Sequence, residues 1–126
     1  MRILFPLALL LATPAAAQEW RMAAEYDVQL STYDIRPGEI RLKADEPVRL
    51  RFVNNSNQGL SFAADSFFRS ARLRRRDAAL VRDGSLEVPP LSTRTIALVP
   101  RAGRYRAAGA NLLHRLLGMS GRIIVE

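Results

Sequence analysis

The sequence predicts an all-β sandwich with one short helix. Short runs of alternating apolar and polar residues recur along the chain, and turns rich in glycine and proline separate them. The clearest run is 48–52, where three large apolar residues alternate with Arg49 and Arg51. A strand with this pattern buries one face and leaves the other in water. An immunoglobulin-type sandwich also fits the pattern, although the chain lacks the cysteines of that framework.

The predicted elements follow one another with short connections. The strands are expected at residues 28–32, 39–43, 48–52, 86–88, 95–99, 105–107 and 122–125. Turns are expected at 35–38, 44–47 and 83–84, where glycine or proline sets the backbone. Asp65 is suited to cap a short helix that carries Phe67 and Phe68 and ends near Asp77. Residues 112–117 indicate a short helical turn or a loop.

Residues 1–17 have the features of an export signal, and residues 18–126 are expected to form one domain. Arg2 precedes an apolar run, and Ala15 to Ala17 supply the small residues that a signal peptidase cleaves after. The run is shorter than the roughly 20 residues that span a bilayer. A buried N-terminal helix or strand is the alternative interpretation. The sequence therefore predicts a periplasmic or secreted protein.

Composition excludes several kinds of chemistry and favours anionic partners. The chain has 0 cysteines, so it forms no disulfide and offers no thiolate to a metal or a substrate. Its formal net charge is +7. Such a surplus attracts acidic proteins or an anionic membrane surface, whereas nucleic acid is not expected as the partner of an exported protein. A general arginine bias of the genome is the alternative explanation.

Five arginines crowd the segment that is predicted to be helical. They are Arg69, Arg72, Arg74, Arg75 and Arg76. At helical spacing, Arg69, Arg72 and Arg76 share one face, which would dock an acidic partner or lie on anionic headgroups. The same pattern is also typical of a solvated helix surface.

Three segments together carry a resemblance to a known family. After Tyr105, a His and a Gly-Met pair at 114–119 precede a closing segment rich in Val and Ile at 122–125. Residues 33–40 indicate an early strand and turn, and 48–54 a strand that ends in Asn. In this order the segments resemble the C-terminal signature, the early strand and turn, and the strand before the first ligand loop of the cupredoxins. The resemblance covers nearly all of 18–126 and implies a Greek-key β-sandwich.

The resemblance also implies where a type 1 copper site would lie. Such a site uses two imidazoles, one thiolate and a weak axial Met. His114 and Met119 match two of these ligands, whereas Leu60 stands at the position of the first His and Gly109 at that of the Cys. Neither replacement can ligate copper through its side chain. The chain is therefore not expected to be a blue-copper electron carrier.

Two functions remain open from the sequence, with either no cofactor or weakly bound copper. One is a metal-free interaction module, in which His114 and Met119 are packed residues of the fold. The other is a weak Cu(I)-handling protein that uses the same pair, with Met22 or a partner's side chain as a third ligand. An enzyme is not expected, because the acids are scattered and the G-x-S-x-G motif is absent.

Overall fold

The computed structural model describes residues 19–111 and 118–126. Within them the chain forms two β-sheets, one of five strands and one of six, so the predicted all-β fold is confirmed. The expected turn or loop at 112–117, His114 within it, and the predicted export signal lie outside the described residues.

All the elements are short: the strands have two to eight residues and each helix has six. In chain order the elements are β1 (Ala24–Leu30), β2 (Ile35–Arg36), β3 (Glu39–Leu42), β4 (Val48–Asn54), β5 (Leu60–Ala63), α1 (Asp65–Ser70), β6 (Arg72–Leu73), a 3₁₀ helix (Arg75–Leu80), β7 (Val81–Arg82), β8 (Ser85–Val88), β9 (Ser92–Val99), β10 (Gly103–Gly109) and β11 (Ser120–Val125).

The chain passes repeatedly from one sheet to the other. The five-stranded sheet has the order β2-β1-β4-β9-β6, and the six-stranded sheet has the order β3-β11-β10-β5-β8-β7. The pairs β1–β4 and β3–β11 are parallel, and the other neighbours are antiparallel. β4 lies at the centre of its sheet and pairs through all seven residues with β1 on one side and β9 on the other.

Aromatic side chains fill the space between the sheets. The ring of Phe52 lies 4.7 Å from that of Phe62, which in turn meets Phe68 edge to face at 6.0 Å. Phe67 packs edge to face against Tyr105 at 5.5 Å, and the Tyr105 hydroxyl donates to the carbonyl of Arg101 at 2.8 Å. Burying each such ring stabilises the fold by about 1.5–3 kcal/mol, so α1 is held mainly by its two phenylalanines.

The arginine-rich segment does not form the single helix that the sequence predicts. α1 ends at Ser70, Ala71 is extended, and Arg72–Leu73 pairs with β9 as an edge strand before the 3₁₀ helix begins. Asp65 is the first residue of α1 and gives no side-chain cap. The expectation that Arg69, Arg72 and Arg76 share a helical face is therefore wrong, because β9 takes the intervening residues as a strand partner.

A buried carboxylate fixes the 3₁₀ helix beside β9, on the side where β6 pairs. Asp77 accepts hydrogen bonds from the backbone N–H of Ala97 at 2.9 Å and from Nε of Arg74 at 2.8 Å. The two side chains of this pair are 6% and 16% exposed. Because burial weakens solvent screening, this pair contributes more than the exposed ion pairs of the surface.

We predict that Asp77→Ala destabilises the protein by about 3–5 kcal/mol, because it leaves a buried guanidinium and a buried N–H without their acceptor. Urea unfolding of the purified protein measures the change. Asp27→Ala is the matched control: Asp27 pairs with Arg51 at 3.4 Å on the surface, so its removal is expected to cost less than about 1 kcal/mol. Equal costs for the two substitutions would contradict this role of Asp77.

Candidate functional site

Two connections, one between β4 and β5 and one between β10 and β11, meet at one end of the sandwich. β4 ends at Asn54 and β5 begins at Leu60, while β10 ends at Gly109 and β11 follows Met119. Gly109 lies opposite Phe62 of β5, and its N–H donates to the carbonyl of Met119 at 2.9 Å. The fold thus brings Leu60, Gly109 and Met119 to the same end of the sandwich. We call these three positions, with their connecting loops, the ligand end.

The ligand end is closed by apolar side chains. Leu60 and Met119 are both 0% exposed and belong to the same buried cluster as Phe52 and Phe62. Gly109 is also buried and carries no side chain. The one donor atom among these three side chains is the Met119 thioether, which lies within the core. Its position favours a packing role for Met119.

The described residues do not fit a type 1 copper. That site needs two imidazoles and a thiolate in a plane around the metal. Leu60 and Gly109 offer no donor at two of the positions, and no group of three or more His, Cys, Asp or Glu lies together in residues 19–111 and 118–126. The missing thiolate cannot come from elsewhere, because the whole sequence has no cysteine.

Asn54 organises the loop between β4 and β5. Its side chain is fully buried, and Nδ2 lies 2.8 Å from the carbonyl oxygen of Gln58, 3.0 Å from that of Val88 and 3.1 Å from that of Pro89. Its Oδ1 accepts from the N–H and the hydroxyl of Ser56. One amide therefore joins the loop between β4 and β5 to the end of β8.

Gly118 and Gly121 allow the chain at the start of β11 to pass close to the segments that follow β1 and β2. Gly118 has φ +100°, and a Cβ there would lie 3.1 Å from the carbonyl of Tyr33. A Cβ on Gly121 would likewise lie 3.1 Å from the carbonyl of Gly38. A side chain at Gly118 would add backbone strain to this crowding.

The turn at Tyr33 is itself held by an exposed carboxylate. Asp34 accepts from the Ser31 hydroxyl at 2.7 Å and from Nε of Arg36 at 2.9 Å. The Ser31 hydrogen bond first, and Arg36 second, lower the pKa of Asp34 below its usual value. The contribution of these bonds to stability is complete above the ordinary pKa of Asp and falls as the pH drops through the lowered one.

The structure separates the five arginines of the basic segment. Arg69 pairs with Asp65 at 2.9 Å, and Arg72 pairs with Glu19 at 2.8 Å while lying 5.3 Å from the centre of the Trp20 ring. Arg74 is held by Asp77. Arg75 and Arg76 are exposed and form no ion pair with the described residues. Two of the five therefore remain uncompensated, and they do not lie on a helical face with Arg69.

Comparisons with known proteins agree with this architecture. No protein-family model and no curated protein matches the sequence. Auracyanin B is 18% identical over 82% of this chain and 89% of its own, with a TM-score of 0.58. A reduced auracyanin from Roseiflexus castenholzii is 15% identical, covers 82% of this chain and 98% of its own, and gives 0.60. The chain has a cupredoxin-like fold.

Multicopper oxidases contain a similar unit. The oxidase McoA from Aquifex aeolicus is 16% identical over 83% of this chain, with a TM-score of 0.64, but the match covers 30% of the oxidase. The cupredoxin-like unit described here therefore corresponds to less than a third of that protein. Within residues 19–111 and 118–126, no helix is long and apolar enough to cross a membrane.

We predict that Asn54→Ala costs about 2–3 kcal/mol of stability, because buried carbonyls near Val88 and Pro89 lose their donor. Asn55→Ala is the control, since the neighbouring Asn55 is exposed and is expected to change the free energy of unfolding by less than about 0.5 kcal/mol. Thermal or urea unfolding compares the two variants. A neutral Asn54→Ala would show that the loop is organised by other contacts.

Met119 allows a similar comparison. Met119→Ala is expected to destabilise the metal-free protein by about 2–5 kcal/mol, the range for removing a buried Met side chain. Met22, which is 82% exposed, supplies the control: Met22→Ala is expected to be nearly neutral. Unfolding in the presence of a copper chelator excludes any stabilisation by metal. An unchanged melting temperature for Met119→Ala would contradict its packing role.

Proposed function

We propose that this chain is an exported cupredoxin-like binding module that does not carry electrons through a type 1 copper. The observation that carries the proposal is the ligand end: Leu60 and Gly109 stand where two copper ligands would be expected. Asn54 holds the loop between β4 and β5, and Leu60 and Met119 pack in the apolar core. The cupredoxin-like fold thus serves as a scaffold whose surface, and not a metal, performs the function.

The surface of the module favours an anionic partner. The chain has a net charge of +7, and Arg75 and Arg76 lie exposed on the 3₁₀ helix and form no ion pair with a carboxylate in residues 19–111 and 118–126. An acidic protein or an anionic membrane surface would be attracted to this region. The apolar run and small-residue site of 1–17 support a periplasmic or secreted location.

Binding also agrees better than catalysis with the chemistry of the described residues. The carboxylates that lie near a basic side chain are each paired with an arginine, as in the Asp77–Arg74 pair. No group of three or more His, Cys, Asp or Glu lies together in residues 19–111 and 118–126. General acid–base catalysis uses titratable groups that are positioned around the reacting atoms.

A reconstruction of the ligand set tests the proposal. We predict that the unaltered protein shows no thiolate-to-copper charge-transfer band after Cu(II) is added, whereas the double variant Leu60→His, Gly109→Cys develops one. The double variant supplies the imidazole and the thiolate that the sequence lacks, alongside His114 and Met119. Visible absorption measures the band in both proteins at matched copper concentrations.

The matched control is Leu60→His, Gly109→Ser, because serine has nearly the shape of cysteine but no thiolate. A band in the cysteine variant alone would support the assignment of both positions. Absence of a band in a folded cysteine variant would contradict it. In parallel, anaerobic Cu(I) titration against a chelator is expected to show no tight site in the unaltered protein. Tight Cu(I) binding that His114→Ala or Met119→Ala abolishes would instead make the protein a copper handler.

A further inference from the structure

A basic cavity opens on the outer face of the five-stranded sheet. It measures about 440 Å³ and is lined by Trp20, Arg21, Arg49, Arg74 and Arg76. We call it the arginine pocket. Four of its five lining residues are cationic, and none is acidic. A volume of this size is within the range of sites for small ligands.

The arginine pocket is far from the ligand end. Arg49 is the second residue of β4, and Asn54 is the last, so the two lie five residues apart along one strand. At about 3.3 Å per residue they are separated by roughly 16 Å. Arg49 also points outward, since its neighbours Val48 and Leu50 are buried between the sheets. The pocket is therefore a separate site on the opposite side of the sheet from the core.

Two of the four cations are compensated and two are not. Asp77 holds Arg74 at 2.8 Å, and Glu25 lies 3.6 Å from Arg49. Arg21 and Arg76 are exposed and form no ion pair with the described residues. The pocket thus has a rigid cationic base, fixed by Asp77, and a surplus of two positive charges at its rim.

One buried donor in the pocket also lacks an acceptor. Nε of Arg49 is inaccessible to solvent and forms no hydrogen bond with the described residues. A buried donor without an acceptor costs about 1–3 kcal/mol, so a rotation of the Arg49 side chain that lets Nε donate to a ligand oxygen is favoured. The surplus charge and the unsatisfied donor both point to an anion with several oxygens.

We propose that the arginine pocket binds a phosphate group. The planar guanidinium fork matches phosphate oxygens in a bidentate manner, and two surplus charges balance a phosphate dianion better than a single carboxylate. The proposal deepens the binding role proposed above and rests on it, but not on the copper chemistry of the ligand end. The phosphate belongs either to a soluble molecule or to a lipid headgroup.

The protein carries its own probe of this site. Trp20 is the single tryptophan of the chain, and it lines the pocket. Inorganic phosphate and pyrophosphate, titrated at constant ionic strength with chloride as the reference anion, are expected to change its fluorescence with saturation. Arg21→Gln and Arg76→Gln are each expected to weaken binding about tenfold, because each removes a charge-assisted hydrogen bond. Both side chains are exposed and unpaired, so both variants are expected to fold.

Arg104→Gln is the matched control, since Arg104 is an exposed arginine on β10 of the other sheet. It is expected to leave the titration unchanged. Vesicles that contain phosphatidic acid, compared with phosphatidylcholine alone, distinguish the source of the phosphate. Co-sedimentation that Arg21→Gln reduces indicates a headgroup, and a response to soluble phosphate without co-sedimentation indicates a soluble ligand.

Three outcomes would overturn the proposal: no saturable response to phosphate, an equal loss of binding in Arg104→Gln, or tighter binding of acetate than of phosphate. The test is independent of the copper experiment. If the unaltered protein binds no phosphate and shows no charge-transfer band, only the proposal on the arginine pocket is wrong. If it binds phosphate and also shows that band, only the conclusion on copper is wrong.

Discussion

The pairing of β4 with both of its neighbours is the constraint on which the rest of the structure depends. Seven residues of β4 are matched to β1 and to β9. A one-residue slip in either register would move the buried side chains of β4 to the outer face of the sheet. Leu50 and Phe52 point between the sheets and belong to the hydrophobic core. The same register sets Arg49 beneath the arginine pocket and Asn54 at the ligand end. One strand thus fixes two distant sites of opposite character, one basic and open, the other apolar and closed.

The described part of the ligand end is held by packing and by hydrogen bonds. A buried imidazole or thiolate without copper would need other hydrogen-bond partners, or would carry the cost of an unsatisfied polar group. Leu60 instead adds about 1.5–3 kcal/mol by burying its side chain, and Gly109 has no polar side chain to satisfy. Asn54 supplies the hydrogen bonds that tie the first loop to β8. Packing and one amide therefore both contribute to the stability of this end.

The sequence predicts seven of the eleven described strands but misses β6 in the arginine-rich segment, for one physical reason. The alternation around Phe52 depends on burial of one face, which is visible in local sequence. The local sequence around Arg72 and Leu73 predicts a helix. These residues instead pair as a strand with β9, which lies about 25 positions further along the chain. The arginine pocket is hidden in the same way, since Trp20, Arg49 and Arg74 come from separate segments. The role of Asn54 was more accessible, because an Asn at a strand end with Ser two residues later is typical of an Asx turn.

Some arginines of this chain are held within the fold by ion pairs, and others are exposed. The exposed arginines indicate where an anionic ligand would bind. Arg74 is part of the fold through Asp77, and Arg72 is occupied by Glu19 and the Trp20 ring. Arg21 and Arg76 are exposed, form no ion pair with the described residues and line the arginine pocket, so their charges are the ones in this pocket that remain open to an anionic ligand.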